Sequence, residues 1–112
     1  YIGLELAQSI YSISLDLKPT GFTKNYNSDV AAIAKKDLKP GEKLDGEGGF
    51  CARGRLISSQ KSKEEKILPL GLTDSTIVKR YIKKDEIIKL VDVDLDLPKE
   101  VLVAREYQYN LI

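Results

Sequence analysis

Histidine and methionine are absent from this 112-residue chain, and cysteine occurs once, at Cys51. Without histidine no Ser-His-Asp or Cys-His arrangement can be assembled, and a zinc site would need ligands the chain lacks. One cysteine cannot form an internal disulfide, and such usage fits a reducing compartment. Long hydrophobic runs are missing as well. None approaches the roughly 20 residues that cross a bilayer, and no basic segment followed by an apolar stretch opens the chain. The expectation is a cytoplasmic protein without membrane contact. Nor is there an excess of one charge: 18 Lys and Arg face 17 Asp and Glu, a formal net charge of +1. Nucleic acid is therefore not an expected partner, because phosphate binding needs a clustered positive surplus. With no methionine to start translation, the chain is expected to be a piece of a longer protein. Its ends, Tyr1-Ile2-Gly3-Leu4 and Tyr109-Asn110-Leu111-Ile112, are apolar, as if cut near packed structure.

What is present suits a single folded domain, with 42% hydrophobic and 31% charged residues. From Leu4 to Leu17, Leu6, Ile10, Ile13 and Leu17 fall at i, i+4, i+7 and i+11, which predicts a helix stopped by Pro19 and Gly21. The alternation over Ile13 to Leu17 leaves an extended end as the alternative. Thr20 to Asp29 reads as a polar linker. From Val30 onward short apolar runs alternate with turns, and strands are expected at 30–34, 76–81, 87–91 and 101–107. The polar run 58–66 reads as an exposed mobile loop, and Ile67-Leu68-Pro69-Leu70-Gly71-Leu72 as a corner.

An internal echo appears at an offset of 44 residues. Ala34-Lys35-Lys36-Asp37-Leu38-Lys39-Pro40-Gly41-Glu42-Lys43-Leu44 aligns with Val78-Lys79-Arg80-Tyr81-Ile82-Lys83-Lys84-Asp85-Glu86-Ile87-Ile88. Pro40-Gly41 suits a type II turn, and Asp85 tolerates the same geometry. Two copies are too few for a solenoid, so a pseudo-twofold β module in which each copy pairs with the other is expected.

Candidate chemistry is sparse. Gly46-Glu47-Gly48-Gly49-Phe50-Cys51 contains Gly-x-Gly, but Cys51 stands where a dinucleotide fingerprint needs its third glycine, and no βαβ unit surrounds it. The alternatives are a plain turn with glycines at positive φ, or a flexible acidic loop that carries Asp45 and Glu47 to a neighbouring active site. Arg53 and Arg55 project from one face of a strand. Together with the basic pairs Lys35-Lys36 and Lys79-Arg80 they read as an anion site or, preferably, as a solvated strand edge. Cys51 reads as a small buried hydrophobe. Asp92, Asp94 and Asp96 alternate with Val91, Val93, Leu95 and Leu97, either as oxygen ligands for Ca²⁺ or, preferably, as an exposed strand face.

The order strand, Asp37-Leu38-x-x-Gly41-Glu42-x-Leu44, Leu68-Pro69-x-Gly71-Leu72, a second basic strand with Ile82-x-x-Asp85-Glu86, then Asp92-Val93-Asp94-Leu95 resembles the SAF domain over about 29–96. That resemblance implies a mainly β structure, a β-clip, preceded by the helix and linker of 1–28 and followed by a strand or extension over 97–112. SAF domains occur in antifreeze-like domains, sialic acid synthase C-termini, flagellar P-ring chaperones and altronate dehydratases. Gly3-Leu4-Glu5-Leu6, Pro19-Thr20-Gly21 and Leu44-Asp45-Gly46-Glu47-Gly48-Gly49-Phe50 are further similar to the C-terminal part of homoserine dehydrogenase-like oxidoreductases, some of which resemble 1-deoxyxylulose 5-phosphate reductoisomerase. This second resemblance implies an N-terminal Rossmann domain as partner, NAD(P) as the cofactor of the parent chain and none in this one, and an accessory role here. It also implies that the glycine loop is a family feature; with the anion-site reading of Arg53 and Arg55, the substrate-binding candidates are Asp45, Glu47, Gly48, Gly49, Arg53 and Arg55, with no catalytic residue. A stand-alone module for a sugar acid or carbohydrate, and a structural or homo-oligomerisation role, are the competing expectations.

Overall fold

The computed structural model describes residues 2–21 and 25–111; Tyr1, Ile112 and residues 22–24 of the expected linker lie outside the described residues. The chain opens with helix α1 (Ile2–Asp16). Leu17 follows in the left-handed region, at φ 52°, and Pro19 prevents resumption, so the extended alternative for its end is not realised. Leu6, Ile10 and Ile13 each keep more than half of their surface in solvent. No helix among the described residues is long and apolar enough to cross a membrane.

Strand β1 (Ser28–Ala34) is the centre of the fold. Along one edge it pairs antiparallel with β3 (Ala52–Ser58), from Ser28 opposite Ser58 to Ala34 opposite Ala52. Along the other, the Ala32 amide donates to the Leu68 carbonyl at 2.9 Å, and the Ile88 and Ala34 amides bond Ala32 and Glu86 at 3.0 Å each. Paired on both edges and covered on both faces, Ala31 to Ala34 are fully buried, which is why the strand is an unbroken apolar run of small residues. A second sheet has the order β2 (Lys43–Asp45), β4 (Asp74–Val78), β5 (Val93–Asp94), all antiparallel. Leu38, Leu44, Leu68, Val78, Ile82 and Ile88 fill the space between the sheets.

The two segments related by the offset of 44 make the same bonds. Leu38 and Ile82 exchange amide-to-carbonyl bonds at 2.8 and 3.0 Å. Glu42 closes the first turn by accepting from the Lys39 amide at 3.1 Å, and Glu86 closes the second by accepting from the Lys83 amide at 3.0 Å. Gly41 and Asp85 both occupy the left-handed region, at φ 85° and 68°, and their amides bond the carbonyls of Val78 and Ala34. Lys36 pairs with Glu42 as Arg80 pairs with Glu86.

Four expectations are corrected. Residues 58–66 are no mobile loop: Ser59–Glu64 forms helix α2, started by Ser58, whose Oγ accepts from the Lys61 amide at 3.2 Å, and Ser59 and Ser62 are buried. The segment 101–107 is no strand but part of helix α3 (Lys99–Tyr109). Its partly buried residues, Leu102, Arg105 and Tyr109, follow helical spacing, and the arginine in that stripe hid the period while Val101 and Val103 argued for β structure. Around 87–91 only single bridges form, at Ile87 and Lys89, before a 3₁₀ turn at Leu90–Asp92. With α1 and α3 at 15 and 11 residues and no strand longer than seven among the described residues, the chain is mixed α and β, not mainly β.

Asp92 also departs from the reading of an exposed acidic strand face. It is buried in the 3₁₀ turn, where the Arg80 Nε and Nη2 bond its two oxygens at 2.6 and 3.1 Å and the Lys89 amide adds a third bond at 2.9 Å. Asp94 is exposed. Among the described residues no group of three or more acidic or sulfur ligands is placed to hold a metal.

Leu38→Ala and Ile82→Ala should each destabilise the chain by about 2–5 kcal/mol, the range for buried aliphatic truncations. Because the two residues are hydrogen-bonded partners in one core, the double variant should depart from additivity by about 0.5 kcal/mol or more in urea unfolding.

Candidate functional site

The loop between β2 and β3 is organised by one side chain. The Asp45 carboxylate turns back over the loop and accepts from the Phe50 amide at 2.6 Å and the Cys51 amide at 3.0 Å. These two backbone bonds bring its pKa down to about 2. Gly46 and Gly48 take φ of 76° and 79°, and a Cβ on Gly49 would fall within the Asp45 carboxylate. The Lys35 Nζ donates to the Gly49 carbonyl from the end of β1. The loop is thus a braced turn whose glycines are required by curvature and by the carboxylate that crosses it. Cys51, at its end, is buried, and that burial pushes its thiol pKa up, away from the thiolate a nucleophile needs.

The bracing leaves Glu47 outward. Its carboxylate has no hydrogen-bond or ion-pair partner among the described residues, and it lies on the rim of a groove of about 1160 Å³. One wall of the groove is Val30, Pro69 and Leu70 to Leu72; the other is α3, through Val101, Ala104 and Tyr107. Gly54 in β3 faces the first wall, where a Cβ would come 2.6 Å from Val30 and 3.1 Å from Leu70. Alternation then sends Arg53 and Arg55 to the opposite face of the strand. Arg53 bonds Asp85 at 3.0 Å, and Arg55 is exposed. The structure therefore brings Asp45, Glu47, Gly48 and Gly49 together and places the two arginines elsewhere.

A cluster not anticipated from the sequence closes one end of the groove. Arg105 of α3 pairs with Asp29 of β1, and its guanidinium carbon sits 5.3 Å from the Tyr26 ring centre and 4.6 Å from that of Tyr109. Asp29 also accepts from the Ser62 hydroxyl at 2.5 Å and the Tyr26 hydroxyl at 2.8 Å. Burial raises the Asp29 pKa, but bonds from Ser62, Arg105 and Tyr26 outweigh it and hold the carboxyl below its ordinary range. Burial, reinforced by the bond to Asp29, lifts the Tyr26 hydroxyl to about 12. Residues 26, 29, 62, 105 and 109 form no local motif; the only sequence signal was an arginine inside the apolar stripe of α3.

Asp45 supports the fold only as the carboxylate. Its folded pKa lies below the ordinary 3.8, so its contribution is complete above that value and is lost as pH falls toward about 2. Thermal unfolding across that interval should show a smaller drop in Tm for Asp45→Asn than for the unaltered chain. Gly49→Ala should destabilise the chain by about 1–3 kcal/mol, as over-packing does, because the added methyl displaces the Asp45 carboxylate.

No curated protein matches the chain. Residues 29–94 match the SAF domain. The matched span begins at Asp29 and runs through β5, taking in both glutamate-closed turns, the braced glycine loop and the Leu68 to Leu72 corner. Since this is more than half of the sequence, the chain belongs to the SAF domain family.

Proposed function

We propose that the chain is the accessory SAF domain of a cytoplasmic, NAD(P)-dependent, homoserine dehydrogenase-like oxidoreductase, bracing or covering an active site built by a Rossmann domain. The observation that carries the reading is α1, whose apolar stripe of Leu6, Ile10 and Ile13 stands exposed beside a well-filled core. A stripe of that spacing is made to be covered, and its first residues, Gly3 to Leu6, are among those that resemble the oxidoreductases. Glu47, held outward by a loop whose acidic partner Asp45 is engaged with the Phe50 and Cys51 amides, is the side chain this domain offers to a neighbouring site.

The glycine loop is poorly suited to hold NAD(P). The Gly46 to Gly49 loop leads into strand β3, with no helix N-terminus to receive a pyrophosphate, and the Phe50 and Cys51 amides are already bonded to Asp45. Cofactor binding in the proposal therefore belongs to the Rossmann domain. A stand-alone sugar-acid module is the second reading: Asp29, Glu47, Lys99, Glu100, Arg105 and Gln108 line the groove, but most of its surface is apolar.

Fluorescence titration with NADH and NADPH should show no saturable binding to the 112-residue chain and micromolar binding to the longest natural polypeptide that carries it. In that polypeptide Glu47→Ala should lower kcat/KM about tenfold with Tm unchanged, a loss of transition-state stabilisation and not of folding. Failure of the longer protein to bind either cofactor would overturn the oxidoreductase reading. Unchanged kinetics would remove Glu47 from the site.

A further inference from the structure

Helix α3 is held to the rest of the molecule in an unusual way. It has 11 residues, fewer than the roughly 12–15 below which an isolated helix is marginal in water, and it includes Val101 and Val103, weak helix formers. Its N-cap, Pro98, provides no side-chain capping bond. The helix therefore depends on docking. Yet its apolar side chains do not interlock with the core: Val101, Ala104 and Tyr107 line one side of the groove, and Val30 and Leu70 to Leu72 line the other. Val103 and Tyr107 remain more than half exposed.

The docking bonds concentrate in the second half of the helix. Arg105 bonds Asp29 and Ser62, stacks against the Tyr26 and Tyr109 rings, and is itself mostly buried. Lys63 of α2 donates to the Tyr109 carbonyl at 2.6 Å. Arg105 thus touches β1, α2 and the segment before β1 at once. On the other side of α3, Asp96 to Pro98 carry no regular structure and connect it to β5. The core does not depend on α3: the buried cluster from Ala32 to Val93 contains no residue of it.

We propose that α3 is a hinged strap over the groove. Arg105 is its latch, residues 96–98 are its hinge, and release of the latch melts the helix and opens the groove beside Glu47. The inference does not rest on the oxidoreductase reading, since it concerns only the chain's own helix and groove.

Hydrogen–deuterium exchange near neutral pH tests it on the full chain, Arg105→Gln and Tyr109→Ala. In Arg105→Gln the amides of 102–109 should exchange at least about tenfold faster, while those of β1, β3 and β4 keep their rates, the pattern of local opening. Tyr109→Ala keeps the ion pair and removes one ring, so it should accelerate the same segment to a smaller extent. The apolar dye 1-anilinonaphthalene-8-sulfonate should fluoresce more strongly with Arg105→Gln than with the unaltered chain, as the groove walls become accessible. Unchanged exchange in α3, acceleration spread evenly over α3 and the strands, or failure of Arg105→Gln to fold would each overturn the proposal, because each makes Arg105 an ordinary part of the core or of the surface.

Discussion

The reciprocal pair of backbone bonds between Leu38 and Ile82 is the contact on which the rest of the structure depends. Residues 44 positions apart exchange both bonds and thereby set the two basic segments against each other. Each segment then turns sharply and is closed by a glutamate on a backbone amide, and each returns an aliphatic residue, Leu44 or Ile88, to the same core. The turns also reach across, since Gly41 bonds Val78 and Asp85 bonds Ala34. Two short sheets that could not bury enough surface separately share one interior as a result.

Carboxylates hold the irregular parts of the chain in place. Asp45 crosses its own loop, Asp92 gathers Arg80 and the Lys89 amide under a 3₁₀ turn, and Asp29 collects Ser62, Tyr26 and Arg105. Asp92 and Asp29 are largely enclosed and satisfy donors that the sheets leave over, which is the general requirement for polar groups removed from water, whereas Asp45 braces its loop from an exposed position. Acidic residues that look functional in the sequence are therefore divided by geometry. Asp45 and Asp92 are occupied within the fold, whereas Glu47 is held at the surface by the bracing of its neighbours.

The two long helices lie outside this core and relate to it differently. The apolar stripe of α1 has nothing covering it among the described residues, while α3 is fastened through the mostly buried Arg105–Asp29 ion pair, the Tyr26 ring and the Lys63 bond to the Tyr109 carbonyl. Such an ion pair depends on its partners, because a buried charge left alone is costly.

Local pattern alone determined much of this protein. The helical spacing of Leu6, Ile10 and Ile13, the turn at Pro40-Gly41, the burial of Cys51 and the order of elements typical of the SAF domain were all legible, because each is set by neighbouring residues or by backbone geometry that only certain side chains tolerate. The helix at 59–64 was hidden by its polarity, since its buried face is two serines, one of them bonded to Asp29, a partner more than thirty residues away. The helix at 99–109 was hidden because its inward stripe contains an arginine that becomes an apolar-face residue only when Asp29, Tyr26 and Tyr109 surround it. Tertiary structure likewise decided which acidic side chains are free and which face Arg53 and Arg55 present. Those outcomes depend on groups brought together from distant parts of the chain, and distance in space is what a linear pattern does not encode.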